Sequence, residues 1–408
     1  MQGENKLQKT FNTVIVGGGA AGLISAVELV DGKNALKGSD VIILEKNDRV
    51  GKKLVATGNG QGNLSNVNIS EKNYYGDAQF ITAFIENQNT IGLEKYFFNL
   101  GIPLTAEKNG KQYPLSKQAS SVLDTLRAYL KDKGVTEATG KKVTDIKKDK
   151  SGFIVYCDKE KYSCKNVILA VGGSAGKQFG TDGSAYALAE KLGHKKTPVY
   201  PSLVQLKTQT DLIKGLKGLK ENACVTSFCN GRPLKSSTGD LLFTDYGVSG
   251  STVFNVSASI AGKNDAYLII EFLPELSFSQ TEKILKTRAK KSYVKKEDLL
   301  CGVLNKRIGQ AVIKSAKSDQ IEDIVYAIKN FKLKVTGTLD FSYAQVTRGG
   351  IKTDKIDKQT YQSKLVENLY LVGEVLDVDG DCGGYNLTFA FVSAICAARS
   401  IKQKEIQQ

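Results

Sequence analysis

The sequence predicts an α/β fold in which a nucleotide-binding core of strands and helices is interrupted by an inserted domain. Three observations predict this fold. A glycine-rich turn joins an apolar strand to an apolar helix near the start of the chain, and a second such turn precedes an alanine-rich helix near its end. Between the two turns the residue pattern changes, first to alternating apolar and polar residues and then to helical spacing.

The first element is FNTVIVGGGAAGLISAVELV, residues 11–30, which has a strand, turn and helix pattern. The glycines of its Gly-x-Gly-x-x-Gly motif are Gly17, Gly19 and Gly22. In a Rossmann-like fold the first permits a tight turn, the second lets the backbone approach a pyrophosphate, and the third allows close helix–strand packing. The N–H groups that open the helix, at Ala20 and Ala21, then face the phosphates. The pattern predicts a dinucleotide site.

The second strand, VIILEK at residues 41–46, ends in Glu45 and Lys46. Glu45 follows Gly22 at the spacing where such folds place an acid beside the adenosine ribose. Its carboxylate would accept hydrogen bonds from both ribose hydroxyls and would repel the 2′-phosphate of NADP.

The next segment, GKKLVATGNGQGNLSN at residues 51–66, differs from the helix that a plain NAD dehydrogenase usually has here. Gly58 and Gly60 tolerate positive φ and let backbone approach a flat ligand. Asn59 and Asn63 carry amides that both donate and accept hydrogen bonds, which suits the edge of an isoalloxazine better than a nicotinamide. The alternative is a surface loop of Asn-Gly turns.

The C-terminal segment NLYLVGEVLDVDGDCGGYNLTFAFVSAICAARSI, residues 368–401, favours FAD. A strand ends in Gly373 and Glu374, whose carboxylate can hold ribityl hydroxyls. The helix that opens at Gly384 directs its N–H groups to the flavin N1/O2 edge, where they stabilise the charge that reduction places there. KNVILAVGGSA, residues 165–175, returns a third strand to the cofactor. The residues predicted to bind FAD are Gly17, Gly19, Ala20, Ala21, Gly22, Glu45, Lys46, Lys53, Gly58, Asn59, Gly60, Asn63, Gly172, Gly373, Glu374, Gly384, Tyr385, Asn386 and Leu387.

Seven segments in order resemble a family of microbial FAD-dependent oxidoreductases with a two-dinucleotide-binding-domain flavoprotein core and an inserted domain. These segments are GGGAAG, GKKLVATGNGQGNLSN, GTDGSAYALAEKLGH, YPSLVQL, LLFTDYGVSG, AQVTRGGI and LVGEVLDVDGDCGGYNL. Members include aminoacetone oxidases and flavoprotein reductases of bile-acid intermediates. The resemblance implies a Rossmann-like FAD core and redox chemistry on a small organic molecule.

The chain departs from that family at two places. The family loop reads Gly-Arg-Cys-Asn where this chain has Gln61-Gly62-Asn63, and the family insert reads Phe-Thr-His where this chain has Phe243-Thr244-Asp245. In the insert, Ser-Gly-Pro also becomes Ser249-Gly250-Ser251. The resemblance therefore implies a divergent member in which Asp245, Tyr246 or water replaces the missing histidine.

The chain is predicted to fold as two domains. The FAD-binding domain is expected to comprise residues 1–195 and 343–408, and the insert residues 196–342. Alternating and β-branched runs predict a β-rich insert at 196–277 and 334–342. Helical spacing predicts helices between 278 and 333.

Composition excludes several function classes. The net charge of +15 comes almost entirely from lysines spread along the chain, which argues against a nucleic-acid partner. The apolar run at 14–30 is too short and glycine-rich to span a membrane. Seven cysteines without a CxxC pair or a signal peptide predict a cytoplasmic protein. His194 is the only histidine, which removes His-based triads and leaves no predicted metal site. We expect it to be a histidine in the cap region of a helix, where the dipole favours it, rather than a catalyst.

Because the flavin carries the redox step, the catalytic residue is unknown. The candidates are Tyr385, Asp245, Tyr246, Cys382 and Arg348. Packing against the ring is an alternative role for Tyr385, and a buried neutral thiol one for Cys382. Arg348 would either attract an anionic substrate or face water.

These features predict an FAD-dependent oxidoreductase that acts on a small organic molecule where the core meets the insert. Oxidation of a C–N or C–H bond and reduction of a C=C bond both fit, with O₂ or NAD(P)H as electron partner. One alternative is a flavoprotein that modifies RNA, for which the basic composition is the support. The other is a non-enzymatic flavin sensor.

Overall fold

The computed structural model describes residues 9–158 and 160–407. The chain divides into two compact units, Met1–Val199 with Val346–Gln408, and Tyr200–Gln345. The first unit is formed by two separate stretches of the chain, and the second unit corresponds to the inserted region.

The first unit begins with alternating strands and helices. Its strands up to residue 169 are β1 (Lys9–Val16), β2 (Val41–Leu44), β3 (Ser65–Asn66), β4 (Tyr74–Gly76), β5 (Leu104–Ala106), β6 (Lys111–Pro114), β7 (Thr136–Ala138), β8 (Val143–Asp149), β9 (Gly152–Cys157) and β10 (Glu160–Leu169). Its helices up to residue 191 are α1 (Ala20–Val30), α2 (Lys52–Val55), α3 (Ala78–Ile91), α4 (Leu93–Asn99), α5 (Ala119–Asp132) and α6 (Tyr186–Lys191).

The second unit is a closed antiparallel barrel with helices. Its strands are β11 (Tyr200–Ser202), β12 (Leu206–Thr208), β13 (Lys220–Cys229), β14 (Arg232–Phe243), β15 (Gly247–Ser249), β16 (Ala266–Phe272) and β17 (Phe331–Thr338). Its helices are α7 (Ser251–Ile260), α8 (Phe278–Ala289), α9 (Lys306–Ser315) and α10 (Ile321–Lys329). The barrel runs β12-β15-β14-β13-β16-β17 and closes where Leu206 pairs with Thr338. Its interior is filled by apolar side chains such as Val225 and Ile270, so it has a packed core.

Two details of the insert differ from the sequence prediction. Helix α7 lies inside the part predicted to be β-rich, because Val253, Val256 and Ile260 bury a helical face against the barrel core. Strand β17 begins at Phe331, within the part predicted to be helical. Its residues Phe331 and Leu333 alternate with exposed lysines, and this period-two pattern is typical of a strand with one buried face.

The first unit is completed by β18 (Val346–Arg348), β19 (Leu369–Leu371), β20 (Val378–Gly380) and α11 (Tyr385–Ile406). Its main sheet runs β7-β2-β1-β10-β9-β8, and β19 also pairs with β10. Strands β7, β2, β1, β10 and β19 are parallel. Val14, Ile15 and Val167 in the central strands are fully buried, as expected for a sheet covered on both faces. Helices α1 and α11 pack against each other, and each buries small residues such as Ala26 in α1 and Ala394 in α11.

Within residues 9–158 and 160–407, no helix is both long and apolar enough to cross a membrane.

Candidate functional site

Four predicted segments follow neighbouring parallel strands of the main sheet. The glycine turn follows β1, Glu45 follows β2, Gly172 follows β10, and Gly373 with Glu374 follows β19. The carboxyl ends of parallel strands lie at the same edge of a sheet, which is where open α/β folds bind their ligands. The topology therefore brings these segments to one site.

The turn after β1 has the geometry of a phosphate-binding loop. Gly17 has a φ of +104°, and a Cβ on Gly22 would lie 1.9 Å from the Gly17 carbonyl oxygen, so both positions require glycine. A Cβ on Gly19 would meet no atom within 4 Å, so the space in front of this residue is open. Helix α1 begins at Ala20 without a side-chain cap, which leaves its first N–H groups available to an anion.

Glu45 is buried beside this turn. Its Oε2 accepts a hydrogen bond from the Gly18 N–H at 2.7 Å, and its Oε1 accepts from the backbone and the side chain of Asn47 at 2.8 and 2.7 Å. A carboxylate offers about four lone-pair sites, so Oε2 can still accept a ribose hydroxyl. Lys46, by contrast, pairs with Asp182 at 3.1 Å, and its cofactor contact stays a prediction.

A network of buried and half-buried polar groups joins the loops that follow β10 and β19. The Thr347 hydroxyl accepts hydrogen bonds from the N–H groups of Ser174 at 2.7 Å and Ala175 at 3.0 Å. The Thr347 N–H donates to Glu374 Oε1 at 3.0 Å, and Lys53 Nζ lies 2.7 Å from Glu374 Oε2. A Cβ on Gly173 would lie 2.5 Å from the Thr347 hydroxyl oxygen. Any side chain at residue 173 would therefore clash with the Thr347 hydroxyl, so the packing here requires glycine.

Two glycines predicted to bind the cofactor are also confined by their neighbours. Gly373 has a φ of +73°, and its Cβ would lie 3.1 Å from that of Ala21 in α1, so the turn after β19 touches the phosphate-binding helix. Gly172 has a φ of +71°, and its Cβ would approach a methyl carbon of Thr181 to 2.9 Å.

The segment 51–66 contacts the start of the C-terminal helix. Asn66 Nδ2 donates to the Gly383 carbonyl at 2.9 Å, and the Ser65 and Thr388 hydroxyls lie 3.0 Å apart. A Cβ on Gly384 would lie 2.2 Å from the Ser65 carbonyl oxygen, so only glycine allows this approach. Segments separated by 317 to 323 residues therefore meet beside the first turn of α11.

The tip of segment 51–66 is exposed. Gly58, Asn59 and Gly60 have φ values of +56°, +54° and +85°. Asn63 is buried, and its Nδ2 donates to the carbonyls of Ser65 and Gln112 at 3.3 and 3.2 Å. The Asn63 amide nitrogen therefore has a structural role in the loop.

At the start of α11, Asn386 uses its side chain to hold the preceding loop. Its Oδ1 accepts from the Gly380 N–H at 2.8 Å, and its Nδ2 donates to the carbonyls of Gly380 and Asp381 at 2.8 and 3.2 Å. Any contact with the cofactor would therefore use the backbone of Asn386. Leu387 is half-buried and packs against the core of this unit.

Tyr385 is buried and Cys382 is half-buried, and both side chains keep their protons. The Tyr385 ring packs edge-on against Tyr74 with centroids 6.0 Å apart, and burial raises the pKa of its phenol above the usual value. Burial also raises the pKa of the Cys382 thiol. Both groups are neutral at pH 7, so the Cys382 thiolate that a redox role would use is disfavoured.

The Arg348 guanidinium forms a salt bridge and so does not simply face water, whereas its attraction of an anionic substrate stays a prediction. Its Nε and Nη2 donate to the two oxygens of Asp379 at 2.8 and 3.0 Å, and it lies 3.9 Å from the centroid of the Tyr75 ring. A buried carboxylate holds a bidentate guanidinium tightly. Arg348 is therefore a structural residue of the core.

The predicted insert residues lie in the second unit. Asp245 is exposed and pairs with Lys217 at 2.8 Å, and the hydrogen bond from Lys217 lowers the pKa of its carboxyl. It is therefore an anion at neutral pH and is unsuited to donate a proton. Tyr246 is half-buried, and its carbonyl accepts from the Thr208 N–H at 3.0 Å.

His194 follows the C-terminal end of α6, as predicted for a histidine in the cap region of a helix, but burial and not the helix dipole dominates its charge state. The side chain is 4% exposed, its Nε2 lies 2.9 Å from the Ser363 hydroxyl, and Nδ1 has no hydrogen-bond partner among the described residues. Burial lowers the pKa of the imidazole. His194 is therefore a neutral core residue at pH 7.

The site fits FAD. The open space before Gly19 and the uncapped α1 suit the pyrophosphate, and Glu45 keeps an acceptor for the adenosine ribose. Glu374 lies at the carboxyl end of β19, and Gly384 leaves the start of α11 without a side-chain cap. Such a molecule would supply hydride chemistry, while the protein supplies its orientation. Fold and site together define an FAD-dependent oxidoreductase with a Rossmann-like core.

Comparison with known proteins agrees with this class. A model described as HI0933-like protein Rossmann domain matches residues 11–400, and the chain belongs to this family. The chain is 35% identical to a 3-dehydro-bile acid delta(4,6)-reductase of Clostridium scindens, over 96% of this chain and 98% of that protein. It is 26% identical to the ribosomal RNA dihydrouridine synthase of Haemophilus influenzae, with the same two coverages of 96% and 98%. The predicted family, fold class and FAD cofactor are confirmed.

Among solved structures, the chain resembles a 3-ketosteroid-delta4-(5alpha)-dehydrogenase from Rhodococcus jostii RHA1. The TM-score is 0.52 at 14% identity, and the match covers 98% of each chain. At this identity the likeness concerns the fold.

Sequence reasoning missed two groups beside this site. Gly173 is not among the residues predicted to bind FAD, although the Gly-Gly pair in KNVILAVGGSA is a signal that could have indicated it. Lys111 was also missed, since nothing in the local sequence indicates that its strand lies beside Gly383.

Proposed function

We propose that this protein uses FAD to reduce a carbon–carbon double bond conjugated with a carbonyl group in a small organic molecule. The observation that carries the proposal is the 35% identity, over 96% of the chain, to the 3-dehydro-bile acid delta(4,6)-reductase. The names of two relatives suggest a shared reaction type. A 3-dehydro delta(4,6) compound has double bonds conjugated with a 3-ketone, and dihydrouridine is uridine with one ring double bond saturated next to a carbonyl.

Reduction of such a bond requires a hydride at the β-carbon and a proton at the α-carbon. The bound flavin would supply the hydride. Among the candidate residues, Tyr385 supports the proposal best as proton donor, because burial keeps its phenol protonated and it lies at the start of α11. Asp245 is a poor donor since its carboxyl is ionised beside Lys217.

The test starts from purified protein with its FAD reduced under anaerobic conditions. We would mix it with a 4,6-dien-3-one steroid acid or with the matched saturated 3-ketone, and follow the return of oxidised-flavin absorbance. The proposal expects reoxidation by the dienone alone, with a product two mass units heavier. No reoxidation by the dienone, or equal reoxidation by the saturated ketone, would contradict it.

A Tyr385→Phe variant tests the proton donor in the same assay. It should retain FAD and bind the dienone, but reoxidation should slow at least tenfold, since general acid catalysis typically contributes 10²–10⁴-fold. Unchanged reoxidation would remove Tyr385 from the proposal.

A separate comparison would identify the electron partner. NADH and NADPH are tested as reductants of the oxidised flavin, and air is tested as oxidant of the reduced flavin.

A second candidate is reduction of uridine in RNA. It is favoured by the relatedness to the ribosomal RNA dihydrouridine synthase. The same reduced protein mixed with unmodified ribosomal RNA would distinguish the two. Reoxidation with formation of dihydrouridine, and none with the dienone, would select RNA as the substrate.

A further inference from the structure

We infer that Lys111 raises the reduction potential of the bound FAD by placing a positive charge beside the first turn of α11. The inference depends on FAD binding and on the predicted location of the flavin N1/O2 edge at this helix start. It goes beyond the proposed reaction and does not depend on the substrate.

Strand pairing brings Lys111 to this position. Asn66 in β3 pairs with Lys111 in β6, and the Asn66 side chain donates to the Gly383 carbonyl at 2.9 Å. A Cβ on Gly383 would lie 3.4 Å from the Lys111 Cε. The lysine side chain therefore runs along the glycine turn that precedes α11.

Lys111 is half-buried and has no close counter-ion among the described residues. Across residues 9–158 and 160–407, its ammonium forms no ion pair or side-chain hydrogen bond. The thiol of Cys382, which faces it, is kept neutral by burial. The nearby acid is Asp381, whose carboxylate accepts from the Tyr75 hydroxyl at 3.3 Å and from Asn73 Nδ2 at 3.4 Å.

The first turn of α11 adds positive potential of its own. Gly384 provides no side-chain cap, so the N–H groups of this 22-residue helix carry an uncompensated partial charge. Reduction places negative charge on the flavin edge that this turn is predicted to face. A neighbouring ammonium stabilises the reduced form more than the oxidised one, and the effect is large where the surroundings exclude water.

The test compares the midpoint potential of FAD in the holoprotein and three variants, measured anaerobically against a reference dye without substrate. Lys111→Met removes the charge, Lys111→Arg retains it, and Lys108→Met removes an exposed lysine from the turn before β6 as a matched control. We expect Lys111→Met to destabilise the reduced form about tenfold, which lowers the potential by about 30 mV for a two-electron couple. Lys111→Arg and Lys108→Met should leave the potential unchanged.

An unchanged potential in Lys111→Met, or an equal decrease in Lys108→Met, would overturn the inference. If Lys111→Met binds FAD weakly, the potential is measured at saturating FAD, and Lys111→Gln serves as a second neutral variant. An unchanged potential in both neutral variants, or an equal decrease in Lys108→Met, would then overturn the inference. Since no substrate is present, failure of dienone reduction would count against the proposed function and leave this result intact.

Discussion

The Lys53 ammonium lies 2.7 Å from a carboxylate oxygen of Glu374, although 321 residues separate them in the chain. The other oxygen of Glu374 accepts the N–H of Thr347 at 3.0 Å. One carboxylate therefore connects the segment after β2 to β18 and to the turn after β19, three segments that are predicted to border the FAD site.

This pair predicts unequal effects on FAD binding. Glu374→Gln keeps an oxygen for the Thr347 N–H but loses the acceptor strength that ribityl hydroxyls require, so we expect FAD affinity to fall about tenfold. Lys53→Met should weaken binding less, because Glu374 remains in place. Both side chains are partly exposed, so each apoprotein should lose no more than about 1 kcal/mol in urea unfolding. FAD titration followed by flavin fluorescence measures the affinities. If Glu374→Gln binds FAD as tightly as the wild type, the predicted role of Glu374 in FAD binding is wrong.

Gly19 and Gly22 should separate cofactor binding from folding. Gly19 has a φ of −79° and open space at its Cβ position, so Gly19→Ala should leave apoprotein stability within about 0.5 kcal/mol. The new methyl would occupy the space for the pyrophosphate and lower FAD affinity at least tenfold. Gly22→Ala should instead destabilise the apoprotein by about 1–3 kcal/mol, because its Cβ would lie 1.9 Å from the Gly17 carbonyl. The prediction fails if Gly19→Ala binds FAD normally.

The Arg348–Asp379 pair should stabilise the fold. The Asp379 side chain is 2% exposed, and Arg348→Met would remove its bidentate cation. Breaking a buried pair on one side typically costs about 3–5 kcal/mol, and Asp379→Asn in the same chain should restore part of that loss. Urea unfolding of the single and double variants measures the coupling. A loss below 1 kcal/mol in Arg348→Met would contradict the structural role.

The burial of His194 predicts how the free energy of unfolding depends on pH. Because burial lowers its pKa in the folded state, the unfolded chain binds more protons near pH 6. Its contribution is present at pH 7 and is lost as pH falls below the unfolded pKa of about 6.5. His194 is the only histidine, so His194→Gln should flatten the curve of unfolding free energy between pH 5 and 7. An unchanged slope in that variant would show that other groups are responsible.

The sequence predicted the parts of the FAD site that local backbone geometry requires. Gly17 and Gly22 are recognisable because a tight turn and a close helix–strand contact each exclude a side chain. Glu45 and Glu374 were predicted because each directly follows an apolar strand that a parallel sheet buries. The contacts of Asn386 and Arg348 could not be predicted, since their partners Gly380 and Asp379 are selected by tertiary packing.

By itself, the sequence determined the fold class and the cofactor, because glycine spacing and strand composition act over a few neighbouring residues. Only the tertiary structure decided which side chains pair across the site. It neutralised His194 by burial, fixed Arg348 on Asp379 and brought Lys111 to the start of α11. Burial and pairing join residues that are distant in the sequence, such as Arg348 and Asp379 at a separation of 31 residues and His194 and Ser363 at 169. The residue pattern of a short segment does not specify such contacts.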